Sequence, residues 1–124
     1  MSVLNPAAFT TAMLPIPGAQ RAGLLQIGDI AVDCARYRVW RNEREIALGT
    51  REFHLLAMLM RKRGCVVSRA EILELVWGND SNVGDRNVDA YVKRLRRILN
   101  AGGKADPIRT IRQVGYAFDE YYTG

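Results

Sequence analysis

The chain has 124 residues, of which 48% are apolar and 25% charged, with a formal net charge of +5. That length fits one domain with a single core, and the composition is that of an average globular protein, which excludes wholesale disorder. No stretch approaches the ~18 uninterrupted apolar residues of a membrane-spanning helix. The opening segment to Met13 has no Lys or Arg and is interrupted by Pro6, unlike a secretory signal.

Residues 1–22 hold three of the four prolines (Pro6, Pro15, Pro17) and one charge, Arg21. They read as a flexible tail or the remnant of a linker, with the domain proper over residues 23–124. From Leu24 to Leu48 the apolar period is two. Ile30 and Val32 alternate with Ala31 and Asp33, Tyr37 and Val39 with Arg38 and Trp40, and Ile46 and Leu48 flank Ala47. Gly28-Asp29, the run 33–36 and Arg41-Asn42-Glu43 supply turns. The segment predicts a small antiparallel sheet of three or four short strands with one wet face.

From Thr50, a suitable N-cap, the period becomes helical. Phe53, Leu55, Leu56, Leu59 and Met60 form the apolar side, and Gly64 ends the helix. Ser68 and Glu71, three apart, form a capping box that opens a second helix carrying Ile72, Leu73, Leu75 and Val76 and stopping near Trp77-Gly78. A polar loop spans 78–84. Asp85 can cap a third helix running to about Leu99, which Gly102-Gly103 terminates. Ile108 to Phe118 reads as a hairpin, with Thr110 and Arg112 on one face of its first strand and Ile111 toward the core. Sheet, three helices and a terminal hairpin make an α+β winged helix-turn-helix.

The charge is not spread evenly. Between Gly84 and Tyr116 there are eight basic and three acidic residues, so this stretch carries the whole net charge. On a helical wheel with Arg86 at the origin, Val88, Val92, Leu95 and Leu99 fall at about 180–240°, a clean core stripe. Arg86, Lys93, Arg94 and Arg97 fall on the opposite side, with Asn87 and Tyr91 beside them. The acidic residues Asp85 and Asp89 sit in the first turns, where the helix dipole favours them. Such a helix suits the major groove of duplex DNA: Arg pairs bidentately with guanine, Asn with adenine, and Lys is a point charge for phosphate. The alternative at this point is a solvated basic face without a ligand. An Arg on the hairpin suits the minor groove.

The ordered set of segments resembles the OmpR/PhoB family of bacterial response regulators. Leu48-Gly49-Thr50-Arg51-Glu52-Phe53-His54-Leu55-Leu56 is similar to the start of that family's first helix, and Ser68-Arg69-Ala70-Glu71-Ile72-Leu73 to its second. Val76-Trp77-Gly78 and the run from Asp85 to Arg97 are similar to its recognition helix and the approach to it, nearest to the phosphate-regulon type. Ile108-Arg109-Thr110-Ile111-Arg112 with Gly115-Tyr116 is similar to its wing. The resemblance covers about residues 24–120.

The resemblance implies a four-stranded N-terminal sheet, a third helix in the major groove, a wing in the minor groove, and direct-repeat DNA bound by head-to-tail dimers. By position it implies base reading by Arg86, Tyr91 and Arg94. It implies backbone or minor-groove contacts by Trp77, Asn87, Lys93, Arg96, Thr110, Arg112 and Tyr116. From the charge of the helix face, Lys93, Arg96 and Arg97 are expected to supply phosphate affinity. The loop of Gly78, Asn79, Asp80, Ser81, Asn82, Val83 and Gly84 matches the segment that meets RNA polymerase and its sigma subunit.

Three departures stand out. The wing reads Arg112-Gln113-Val114-Gly115-Tyr116 where the family often has Arg-Gly-x-Gly-Tyr, so Gln113 occupies a position suited to positive φ. Tyr91 stands where the phosphate-regulon type carries His. Residues 1–22 are too short for a phosphoacceptor domain, which leaves a fragment or a stand-alone DNA-binding protein as the two expectations.

Catalysis is not expected. His54 is the one histidine, no Gly-rich phosphate loop or GxSxG occurs, and no cluster has metal-ligand spacing. No cofactor or metal is expected. Cys34 and Cys65 read as buried thiols of a cytoplasmic protein. The competing function is a winged-helix protein-interaction module with only non-specific DNA affinity. RNA binding is disfavoured because no aromatic platform stands on the surface stripes.

Overall fold

The structure, a computed structural model, describes residues 23–78 and 85–123, the side chains of residues 85–87 excepted. The N-terminal tail and the loop 79–84 therefore lie outside the described residues, as does the capping role of the Asp85 side chain. The chain divides into two compact units, one containing the N-terminal strands to Ala47 and one over Leu48–Tyr122.

The first unit is an antiparallel meander of four strands, β1 (Leu24–Ile27), β2 (Ile30–Asp33), β3 (Arg38–Arg41) and β4 (Arg44–Ile46), in that spatial order. Leu25 pairs with Val32, Val32 with Val39, and Val39 with Ile46, so one apolar row crosses all four strands. The second turn takes Tyr37 (φ 57°) rather than leaving it in β3, and the third holds Asn42 (φ 53°) and Glu43 (φ 66°) in the left-handed region, as a type I′ hairpin requires. Arg41, on the buried face, is paired with Asp29 at 3.1 Å. On the opposite face Arg38 grips Glu45 with two hydrogen bonds of 2.9 Å.

The second unit begins with α1 (Thr50–Arg61), whose Phe53, Leu55, Leu56, Leu59 and Met60 are all buried. Its N-cap is Gly49, not Thr50, and no side chain caps it. The reason is spatial: a Cβ at Gly49 would run into Glu52 Oε1, so the carboxylate of the third helical residue occupies the place of a larger cap. After Gly64 (φ 86°), whose N–H donates to the Phe118 carbonyl at 2.9 Å, comes a strand absent from the sequence expectation, β5 (Val67–Ser68).

The helix α2 (Arg69–Ile72) opens on the expected cap, the Glu71 N–H donating to Ser68 Oγ at 3.1 Å. It continues as a π-helical turn over Leu73–Trp77, closed by Gly78 N–H on the Leu73 carbonyl at 3.1 Å. The extra residue in that turn rotates the buried face. Ile72, Val76 and Trp77 are inside, whereas Leu75, expected on the apolar side, is 51% exposed.

The helix α3 (Asp85–Leu99) has the bounds read from the sequence, and Val88, Val92, Leu95 and Leu99 are at most 1% exposed. The hairpin consists of β6 (Ile108–Ile111) and β7 (Gly115–Phe118), and β7 lies between β6 and β5. Within β6 it is Ile108 that is buried, while Ile111 is only half-buried, and Arg112 lies beyond the strand end in the turn. By period two Ile108 shares its face with Thr110, which is exposed. The cysteine expectation is corrected: Cys34 is half-buried and Cys65 exposed, because both fall in connections between elements.

Two glycine-type constraints shape the wing. Gln113 adopts φ 65°, the conformation the missing glycine would have supplied. Gly115 lies so close to β5 that a Cβ there would sit 2.9 Å from the Ser68 Cα and closer still to the Val67 carbonyl oxygen. Two outcomes are expected in thermal unfolding. Gln113→Gly stabilises by about 0.5–1 kcal/mol, the left-handed penalty less the added unfolded-chain entropy. Gly115→Ala destabilises by about 1–3 kcal/mol through overpacking against backbone. An unchanged midpoint for Gly115→Ala contradicts the close approach.

Candidate nucleic-acid interface

Burying the Val88–Leu99 stripe turns the opposite side of α3 outward. Lys93, Arg94 and Arg97 are exposed there, and Tyr91 and Arg96 are half-buried. Arg86 and Asn87 belong to α3 by backbone, but their side chains lie outside the described residues. Thr110 and Arg112 are exposed on the wing, whereas Trp77 and Tyr116 are buried.

Two polar networks organise these residues. The first joins α2, α3 and the wing. Asp89 Oδ1 accepts from Arg69 Nε at 2.8 Å and from the Tyr116 hydroxyl at 2.6 Å. The guanidinium groups of Arg69 and Arg96 lie 5.3 and 5.7 Å from the Tyr116 ring centroid. Arg96 Nη2 donates to Thr110 Oγ1 at 2.7 Å and to the Ile108 carbonyl at 2.8 Å. Its Nε stands 3.1 Å from Asp106 Oδ2, an ion-pair distance without hydrogen-bond geometry. Burial alone would push the Asp89 carboxyl up, but the hydrogen bonds from Tyr116 and Arg69 outweigh it and hold the carboxyl below its ordinary value. Burial, then the bond to Asp89, pushes the Tyr116 phenol up.

The second network runs from the start of α1 to the middle of α3. Arg51 donates to the Val76 carbonyl at 2.9 Å and lies 5.6 Å from the Trp77 ring centroid. Trp77 meets Tyr91 edge-on, centroids 5.0 Å apart at 66°. The Arg94 guanidinium covers the Tyr91 ring at 4.7 Å and donates to Glu52 Oε2 at 3.1 Å. The hydrogen bond Arg94 donates to Glu52, then that with Tyr91, holds the Arg94 pKa above its usual value.

The sequence-derived site residues therefore separate into kinds. Lys93, Arg97 and Arg112 are exposed charges. Tyr91, Arg94, Arg96 and Thr110 are surface groups already held by neighbours. Trp77 and Tyr116 are mostly supports. Arg51, Glu52, Arg69 and Asp89 were not read as site residues, although they organise the others. For Arg69 and Asp89 no signal in the sequence showed the contact, since 20 residues separate them. Among the described residues no group of His, Cys, Asp and Glu could hold a metal ion, and no helix is long and apolar enough to cross a membrane.

Residues 43–118 match the family described as "Transcriptional regulatory protein, C terminal". The chain is 47% identical over 96 residues to the phosphate regulon transcriptional regulatory protein PhoB of Rhizobium meliloti (strain 1021), covering 77% of this chain and 42% of that protein. It is 40% identical over 92 residues to the transcriptional regulatory protein PrrA of Mycobacterium tuberculosis, covering 74% of this chain and 40% of that protein. The chain thus spans well under half the length of these curated relatives. Among solved structures, the response regulator DrrB of Thermotoga maritima, an OmpR/PhoB homologue, superposes with a TM-score of 0.69 at 34% identity, over 78% of this chain and 44% of that one. The DNA-binding domain of Klebsiella pneumoniae RstA, solved in complex with the RstA box, superposes with a TM-score of 0.68 at 28% identity, over 79% of this chain and 98% of that one.

The central acid of the first network makes a pH-dependent test. Because the Asp89 carboxyl is held down in the folded chain, its contribution is complete at neutral pH and is lost as pH falls through its folded value. Asp89→Asn is expected to lower stability at neutral pH by less than about 1 kcal/mol, as suits a half-exposed pair. The thermal midpoints of the two proteins should converge in strong acid, and a gap that persists there contradicts the assignment. With the fold, the basic helix and the family match agreeing, the chain belongs to the OmpR/PhoB family of transcriptional regulators and contains its C-terminal, DNA-binding type of domain.

Proposed function

We propose that this domain binds double-stranded DNA sequence-specifically, with α3 in the major groove and the β6–β7 wing in the minor groove, and so regulates transcription. The observation that carries the reading is the two-sidedness of α3: its Val88–Leu99 stripe is buried, and Lys93, Arg94 and Arg97 stand exposed on the other side. An α-helix fits the major groove, and side chains of these types address phosphates and guanine edges there. RstA, a similar domain, was solved in complex with its RstA box, which supports DNA as the ligand.

In this mechanism Lys93, Arg96 and Arg97 neutralise phosphates and supply salt-dependent affinity. Arg86, Tyr91 and Arg94 read base edges. Asn87, Thr110 and Arg112 fix register on the backbone and in the minor groove, and Trp77 and Tyr116 add contacts through their small exposed edges. Arg96 is already tied to Thr110 and the Ile108 carbonyl, so its charge and the wing approach the duplex as one body. Phosphate contacts position the domain and base contacts specify the site.

The family resemblance extends the proposal to a cytoplasmic regulator that binds direct repeats as a head-to-tail dimer. It also assigns residues 78–84 to contact with RNA polymerase through the sigma subunit. Operation within a two-component system belongs to the same extension.

Substitution separates the two kinds of contact. Arg86→Ala should cost about 1–3 kcal/mol on the preferred duplex and relax selectivity at one base position. Lys93→Ala should weaken all duplexes alike and reduce the salt slope by about one unit. Quantitative binding to preferred and scrambled duplexes across a salt series measures both. Equal affinity of Arg86→Ala and the unsubstituted protein for the preferred duplex contradicts base reading by Arg86. A sequence-selective loss on Lys93→Ala contradicts its phosphate role.

A further inference from the structure

A carboxylate beneath a DNA-reading surface opposes phosphate binding, so its presence there calls for a physical role. Glu52 is such a group. Its side chain is 7% exposed, whereas that of its partner Arg94 is 45% exposed. The carboxylate is held at both ends. Oε1 lies against Gly49, where any Cβ would displace it, at the N-terminus of α1, whose dipole favours negative charge. Oε2 accepts from Arg94 Nη1 at 3.1 Å. The guanidinium is confined on its other side by the Tyr91 ring at 4.7 Å, and Tyr91 is itself braced by Trp77.

We propose that Glu52 is a positioning residue for Arg94 and a determinant of DNA specificity: it fixes the Arg94 guanidinium over Tyr91 and neutralises it, so that Arg94 contributes to discrimination between sequences and little to sequence-independent affinity. The inference rests on the proposed base reading by Arg94.

The electrostatic reasoning is direct. A mobile, uncompensated arginine binds any nearby phosphate and releases counterions, which raises affinity for every duplex. An arginine whose charge is matched by a buried carboxylate gains little from that source. It retains further N–H donors in a fixed plane, and a fixed fork discriminates base edges by geometry. The arrangement also reduces the rotamer entropy lost on binding. Glu52 itself, being buried, need not touch the DNA.

The test is a set of binding isotherms for Glu52→Gln, Glu52→Asp, Arg94→Ala and the Glu52→Gln/Arg94→Ala double variant. Each is measured on the preferred duplex and on a scrambled duplex over a salt series. Glu52→Gln is nearly isosteric and keeps a hydrogen-bond acceptor; Glu52→Asp keeps the charge with a shorter reach and serves if the amide variant does not fold. Thermal unfolding establishes the folded fraction.

Glu52→Gln is expected to tighten binding to the scrambled duplex several-fold at low salt, steepen its salt slope by about one unit, and cut the ratio of preferred to scrambled affinity by about tenfold. Glu52→Asp should retain the original salt slope while losing part of the ratio. In the Arg94→Ala background the Glu52→Gln change should alter neither ratio nor slope. If Arg94→Ala lowers the ratio but a folded Glu52→Gln leaves ratio and slope unchanged, base reading stands and the positioning role is overturned. An unchanged ratio on Arg94→Ala overturns the base reading itself, and the positioning role with it.

Discussion

The orientation of α3 depends on four side chains. Val88, Val92, Leu95 and Leu99 recur at three- and four-residue steps, so they share one side of the helix and are removed from water together. Burial of side chains of this size contributes about 1.5–3 kcal/mol each, far more than any single surface ion pair. The basic residues between them have no freedom to choose another direction. A helix rotated by 100° would carry all four away from the core and turn a basic residue inward without a partner, which is costly. The outward basic side is therefore a consequence of core packing, and electrostatics only refines it.

That refinement is done by two carboxylates. Asp89 ties α2 and the wing to α3 through Arg69 and Tyr116, and Arg96 continues the connection to β6. Glu52 ties α1 to α3 through Arg94. Each acid neutralises a guanidinium near the candidate DNA surface. The net positive charge available to phosphates is thus smaller than the count of basic residues, and falls mainly to exposed groups such as Lys93, Arg97 and Arg112. Charge counting alone overstates non-specific attraction and misses the geometric role of the paired arginines.

Much of the fold was legible before the structure, for identifiable reasons. The third helix was bounded at both ends because its apolar period is unbroken between Asp85 and Gly102. An antiparallel sheet of three or four strands followed from period-two alternation punctuated by turn residues, and the family resemblance implied four. The Ser68 cap was readable because a capping box is local. What escaped was non-local or depended on backbone geometry. The two-residue strand β5 exists only because β7 offers it a partner, and Gly115 lets the two approach. The π-helical turn moved Leu75 outward, which an assumption of 3.6 residues per turn cannot foresee. Gly49 displaced Thr50 as cap because of Glu52. At the site, residue types were readable from the helical wheel, but the pairing of Arg94 with Glu52, 42 positions away, was not.

The central claim is that packing of α3 presents a sequence-reading surface and not merely a basic one. Selection of bound duplexes from a random pool, at near-physiological salt, tests it most directly. The account predicts enrichment of a defined direct repeat, with half-sites about one helical turn apart. Binding without enrichment of any sequence would contradict it, leaving a winged helix with phosphate affinity alone and a role that a protein partner must specify.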